Sequence, residues 1–303
     1  MARSVKAEPG VDPASVATDA AVAASLVSTT TTAAAAAAAP ATRPPPRKDW
    51  ADVYTRISAW RRHHGAPVDE MGCGFSRPKT QDAKHHRYEV LTSLQLSSQT
   101  KDPVTWAAMQ ALRAEPGGCT PQAIVAMDPA RLDNLIGKVG FHRRKTVYLQ
   151  QTAQILLDQY DGDIPDSLEG LMALPGCGPK MSYLALSSAW GKTIGIGVDT
   201  HVHRISERLG WTMKPKTPED TRHQLEAWLP LDRWVDINPM LVGFGQIQCL
   251  PIGPRCESCP VRDACPRVGV PRRSAKATAR TVKMADTYSM ADLAKDEAVK
   301  QET

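Results

Sequence analysis

The chain has 303 residues, 42% hydrophobic and 23% charged, which is enough apolar material for one large core or two modest ones. Its net charge of +5 lies mostly in the tails: residues 1–48 carry 5 basic and 3 acidic side chains and residues 271–303 carry 7 and 5, leaving +1 for the middle. Net charge therefore gives no ground for a nucleic-acid partner, and the lack of an apolar run of about 18 residues argues against a membrane-spanning helix.

Residues 1–48 are rich in Ala, Thr, Ser and Pro and have almost nothing to bury, so a disordered N-terminal tail is expected. Arg3, Lys6 and the many hydroxyl residues suit a mitochondrial presequence, whereas Glu8, Asp12 and Asp19 count against one. Order is expected from near Asp49, with a short helix through Arg61 and then a polar loop from His63 to His86. The stretch YEVLTSLQLSSQT, starting at Tyr88, has the period of a buried helix and ends in a polar SSQTKD corner. Pro103 starts the next helix, to about Arg113. Asp128 and Pro129 read as a cap and first-turn proline of a helix to Ile136. Arg143 to Tyr160 is amphipathic and stopped by DGDIP. Asp166 is expected to cap the short helix SLEGLMAL.

The next stretch, LPGCGPK from Leu174 to Lys180, has the form of a tight glycine hairpin opening into a helix that runs to Trp190. Gly176 and Gly178 permit a sharp turn and close approach of a ligand, and Pro179 suits the first helical position. Free backbone N–H groups at such a helix start attract an anion, which places Lys180 beside a phosphate site. Asp199 then heads DTHVHRISERLG, which ends on Gly210. Thr217, Pro218, Glu219 and Asp220 have capping-box form and open a helix to Trp228. One more helix lies between Asp232 and Gln248. The count is roughly ten helices with short connections. The only β-like run, TIGIGV, is glycine-broken, so the fold class is all-α.

Four of the seven cysteines crowd into one segment: Cys249, Cys256, Cys259 and Cys265. Pro251, Gly253, Pro254 and Pro260 exclude a continuous helix there, and few apolar residues are available to fix the loop by burial. Four thiolates closing on an inorganic centre would fix it, and such a set suits zinc and iron–sulfur alike. Arg255, Arg262 and Arg267 interleave with these cysteines as a phosphate-facing surface or a solvated rim.

LPGCGPK, GVDTHVHRI and the four-cysteine loop, in this order and spacing between about Asp49 and Pro266, resemble the endonuclease III family. These are helix–hairpin–helix DNA glycosylases of base-excision repair, and LSSQTKD and LVGFGQ look like its eukaryotic members. The resemblance implies a six-helix barrel with helix–hairpin–helix, a 4Fe–4S cluster domain and a DNA-binding cleft between the two. Its boundaries here would be 1–48 for the N-terminal tail, 49–80 for the first part of the cluster domain and 81–193 for the barrel, with the hairpin at about 167–190. The cluster domain would resume over 194–270, with its loop at 249–265, and 271–303 would be a mobile tail.

By the same resemblance Lys180 is the nucleophile that attacks the sugar C1′, and Asp199 is the catalytic carboxylate. Asp199 is equally a plain N-cap, and both roles can hold. Gln99 and Phe141 are expected to fill the stack vacated by an extruded base. Asp102 and His201 would line the pocket, and Gly176 and Gly178 would hold the strand. Lys138, Arg143, Arg144 and Lys145 could contact phosphates or form a solvated face, and Cys177 reads as packing. Cys249, Cys256, Cys259 and Cys265 would bind the cluster. Adenine-mismatch relatives lack the lysine and 8-oxoguanine relatives lack the cysteine loop. Having both implies a bifunctional glycosylase and abasic-site lyase acting on oxidised pyrimidines such as thymine glycol. The expected partner is double-stranded DNA with such lesions or abasic sites. The protein is expected to be a monomer with no membrane partner, in the nucleus and also the mitochondrion. A glycosylase of other base specificity and a non-catalytic DNA-binding module are the alternatives.

Overall fold

A computed structural model describes residues 45–73 and 82–271. The tails read as disordered and mobile therefore lie outside the described residues, except for their inner ends, as does part of the loop after His63. Twelve α-helices and two short 3₁₀ turns, and no strand, make up the regular structure of the described residues. TIGIGV connects two helices without forming a strand; its backbone instead meets side chains, Ile196 N–H donating to Glu226 at 2.8 Å and Gly197 O accepting from Asn238 at 2.6 Å.

Helix starts follow local chemistry. In α3 (Ala83–Ser97), α5 (Pro121–Ala126), α6 (Pro129–Leu135) and α8 (Leu168–Met172) the preceding Asp82, Thr120, Asp128 and Ser167 each accept a first-turn N–H. In α11 (Pro218–Glu226) Thr217 and Asp220 form a reciprocal capping box. The expected cap Asp166 is one residue off: Ser167 caps α8, while Asp166 pairs with Lys192 at 2.6 Å. Two helices escape the sequence reading. α2 (Pro67–Met71) sits inside the polar loop, and α5 is a single proline-started turn and a half. α3 also begins five residues before Tyr88, because Asp82 caps KHHR into it.

Two buried apolar clusters organise the described chain. The first gathers α3, α4 (Asp102–Arg113), α5, α6, α7 (His142–Gln159), α8 and α9 (Pro179–Trp190). α3 is its centre, with Tyr88 to Leu96 all buried. Two of its internal polar side chains are paired there: Glu89 accepts from Arg113 Nε and Nη2 at 3.0 Å each, and Gln95 donates to Thr152. The second cluster combines α1 (Trp50–Arg62) with Ile196, Val198, α10 (Thr200–Arg208), α11 and α12 (Trp234–Ile247). Trp211 is fully buried there, stacked on Tyr54 and edge-on to Trp228. A large apolar side chain so enclosed contributes about 1.5–3 kcal/mol. α2 packs against both α4 and α12, and Gln246 of α12 links them further, donating to Asp102 at 2.7 Å and accepting from the Val68 N–H at 3.0 Å. The polar loop thus holds the contact between the two clusters.

Candidate active site

The hairpin is built from α8, the turn through Leu174–Gly178 and the start of α9. The turn closes when the Cys177 N–H reaches the Leu174 carbonyl at 3.1 Å. The two glycines serve different ends. Gly176 has φ +74°, and a Cβ on it would lie 2.6 Å from the Tyr148 ring, so only glycine fits. Gly178 has φ −108° and faces open space, so its backbone conformation does not demand glycine. What it provides is room beside the N-terminus of α9. Behind the turn, buried Gln95 donates to Pro175 O, Thr152 Oγ1 and Cys177 Sγ, tying hairpin to α3 and α7. Burial pushes the Cys177 thiol up to about 12, consistent with packing.

Lys180 stands on the first turn of α9, exposed, and its amine has no protein partner among the described residues. Asp199 is extended and caps α10: its Oδ1 accepts the N–H groups of His201 and Val202 at 2.9 and 2.8 Å. Oδ2 is left without a protein donor among the described residues. The His201 ring is acted on electrostatically by both groups. Burial lowers its pKa, Asp199 and Asp102 act against that, and Arg204 and Lys180 add to it. Arg204 Nη2 donates to His201 Nδ1 at 3.3 Å, which assigns the neutral ring's proton to Nε2. Asp199, Lys180 and Asp102 thus all act electrostatically on one ring, that of His201. Cys73, a scattered cysteine in the sequence, belongs there too: burial raises its thiol, and both Lys180 and Asp102 act on it.

Gln99, Phe141 and Gly176 come together from three separate loops. They line one cavity with Gln95, Ser98, Arg144, Lys145, Tyr148 and Pro175. Phe141 is 59% exposed, a state that leaves most of its ring facing solvent. Lys138, Arg143 and Arg144 are exposed as a phosphate-facing surface requires, and Arg144 leans on Tyr148. Lys145 is a correction. It is buried, with its ammonium held by the Leu96 and Ser98 carbonyls at 2.7 Å, rather than exposed to a phosphate-facing surface. Sequence spacing could not separate it from its neighbours, because one helical step decides which face it takes.

Cys249, Cys256, Cys259 and Cys265 line a second cavity, together with Arg208 and Val261. Burial pushes Cys259 up to about 11 and raises Cys256 and Cys265, and the neighbouring cysteines, Cys249 in every case, add to each shift. Such a set ionises together only with a cation among the sulfurs. Among the described residues no three His, Cys, Asp or Glu side chains are gathered around one ion-sized point. Arg208, which sequence reading passed over, donates to Cys249 Sγ at 3.5 Å and to the Leu250 and Pro251 carbonyls at 2.6 and 2.8 Å.

Comparison with known proteins agrees with this layout. Residues 92–231 match the family model described as HhH-GPD superfamily base excision DNA repair protein. The chain is 52% identical over 220 residues to endonuclease III-like protein 1 of Bos taurus, covering 72% of each chain. Identity to the Gallus gallus protein of that name is 51% over 220 residues, covering 72% of this chain and 78% of that one. A solved structure of a trapped endonuclease III–DNA covalent intermediate superposes with a TM-score of 0.61 at 25% identity, over 72% of this chain and 95% of that one. With a glycine hairpin ending in a free lysine, a carboxylate that acts on the same histidine ring as that lysine, and half-identical relatives over 72% of the chain, the protein belongs to the endonuclease III family of helix–hairpin–helix base-excision repair proteins.

Proposed function

We propose that this DNA glycosylase and abasic-site lyase removes oxidised pyrimidines, thymine glycol among them, from double-stranded DNA as a monomer. The observation that carries the reading is the unpartnered Lys180 amine on the hairpin helix, in the same electrostatic neighbourhood as Asp199 and His201. Backbone N–H groups at the start of α9 suit a strand phosphate, and the open face at Gly178 lets it approach.

In this reading the Lys180 amine attacks C1′ as the glycosidic C–N bond breaks, and the base leaves with that electron pair and takes up a proton. The ionised Asp199 carboxylate, anchored through Oδ1, presents Oδ2 to the positive charge that develops on the sugar. Loss of the amine proton and ring opening give the Schiff base. Removal of a C2′ proton then breaks the C3′–O bond, and the 3′ phosphate departs. Water hydrolyses the remaining imine and frees Lys180. Gln99 and Phe141 occupy the gap left by the extruded nucleotide.

The four-cysteine cavity fits a 4Fe–4S cluster by its donor set, four thiols around one space with Arg208 at hand. Cys249, Cys256, Cys259 and Cys265 would hold it, and when bound it supplies a cross-link for a loop that lacks an apolar core of its own. Nuclear localisation with a mitochondrial share completes the proposal.

The test is borohydride trapping on duplexes carrying thymine glycol, 8-oxoguanine, an abasic site or no lesion. The expected result is a covalent adduct with thymine glycol and abasic DNA, absent in Lys180→Gln. An enzyme that traps on 8-oxoguanine but not on thymine glycol would overturn the substrate class, and one that never traps would overturn the lysine chemistry.

A further inference from the structure

Gln99 and Phe141 both hold left-handed backbone, with φ of +52° and +59°. For a residue other than glycine that conformation costs roughly 1–2 kcal/mol, so the surroundings must impose it. The two corners brace one another. A Cβ on Gly140 would lie 2.6 Å from the Gln99 carbonyl, and the Gly140 N–H donates to Thr100 Oγ1 at 3.1 Å.

Lys145 lies beneath both. Its ammonium has three donors and three acceptors: the Leu96 and Ser98 carbonyls at 2.7 Å each and Thr100 Oγ1 at 3.4 Å. Those carbonyls belong to the end of α3, where no helical partner remains for them. Its backbone N–H meanwhile takes the Phe141 carbonyl at 3.1 Å. One residue thus ties the Gln99 corner through its side chain and the Phe141 corner through its main chain. It is only 6% exposed and no carboxylate pairs with it among the described residues. Burial pushes its amine down to about 8 while the carbonyls favour the charged form, so a cation is held here at a cost.

We propose that Lys145 is a positioning residue that fixes the spacing of the Gln99 and Phe141 corners, so that recognition of duplex DNA depends on it and the chemistry at Lys180 does not. The proposal rests on the glycosylase and lyase reading, in which these two residues enter the vacated stack. Single-stranded abasic DNA has no vacated stack to fill, and this separates positioning from chemistry.

The experiment compares one abasic oligonucleotide, single-stranded and annealed, with 2-aminopurine opposite the abasic site in the duplex. Lys145→Met removes the three donors at similar length. It is expected to slow borohydride trapping on the duplex by about tenfold or more while the single-strand rate stays within about twofold. The 2-aminopurine signal change on binding should shrink in parallel, and Thr100→Val should show the same pattern more weakly. If Lys145→Met does not fold, Lys145→Gln, which keeps two donors, takes its place with an intermediate duplex defect. Equal losses on both substrates, or an unchanged duplex rate and signal, would overturn the proposal. Should wild-type protein trap on neither substrate, the lyase reading fails. The 2-aminopurine signal then decides this proposal alone: a signal retained in the variant refutes it and a signal lost supports it.

Discussion

Replacing Asp199 by Asn and by Ala separates two roles that one carboxylate carries. Its Oδ1 accepts two N–H groups, at 2.9 and 2.8 Å, at the head of α10. Asn keeps an acceptor there, whereas Ala leaves both donors without it, one of them on fully buried Val202. Loss of such a cap costs about 1–2 kcal/mol, and Asn is as good an N-cap as Asp. With some 150–250 ordered residues, each kcal/mol moves Tm by about 2–4 °C, so Asp199→Ala should lower Tm by roughly 2–8 °C. Asp199→Asn should stay within about 1 °C of wild type. Both variants lack the negative charge at Oδ2, and both should lose about 10²–10⁴-fold in trapping rate on thymine glycol duplexes. Calorimetry and borohydride trapping on the same preparations read the two effects. If Asp199→Asn unfolds as early as Asp199→Ala, the cap is not what the carboxylate geometry suggests. If Asp199→Asn traps at the wild-type rate, the charge has no part in the reaction.

The two hairpin glycines should fail differently. Gly176→Ala meets the Tyr148 ring and an unfavourable φ, so it should destabilise the fold by more than about 1 kcal/mol in thermal unfolding. Gly178→Ala meets nothing within 4 Å, so it should unfold like wild type yet bind abasic duplex more weakly. Equal stability losses would contradict the assignment. His201 gives a pH signature. Its pKa lies below 6.5 in the folded protein, with Asp199 and Asp102 opposing burial, so the unfolded chain takes up its proton first. The stability it contributes is full above about pH 6.5 and is lost as the pH falls through the folded value. His201→Asn should flatten that acid-side loss in urea midpoints, and an unchanged slope would assign it elsewhere. Finally, treatment with acid and chelator should bleach the visible absorbance of the proposed cluster and open the 249–265 loop to cleavage after Arg255 and Arg262. A colourless protein carrying one zinc would replace the cluster with a zinc site.

Most helix boundaries were legible because caps and prolines act within one turn. Asp128, Thr217 and Asp199 each do what their local sequence says. The misreadings share a cause, which is that the partner lies far away in the chain. α2 looks like loop because its stability comes from α4 and α12, including the Gln246 bridge. Asp166 looks like a cap because nothing local reveals Lys192, 26 residues on. Lys145 looks like one of four surface cations because its acceptors are carbonyls 47 to 49 residues back. The site itself was legible as motifs, but its assembly was not. That Gln99, Phe141 and Gly176 share one cavity follows only from the packing of α3, α7 and the hairpin.

That assembly gives α10 a meaning the motifs do not carry separately. Asp199 caps its first turn, and Arg208 stands at its last residue, about 13 Å away along the axis. Arg208 grips the Leu250 and Pro251 carbonyls and the Cys249 sulfur, and Arg204 on the same helix holds the Cys249 carbonyl. A nine-residue helix has little stability alone, so its placement depends on what grips its ends and flank. The cysteine loop and the carboxylate are therefore opposite ends of one rigid element. A loop fixed by a cluster on its four thiols, as proposed, would hold the far end of α10 through Arg208 and so steady Asp199 at the near end. The proposed cluster would thus bear on catalysis without touching the substrate, through nine residues of helix.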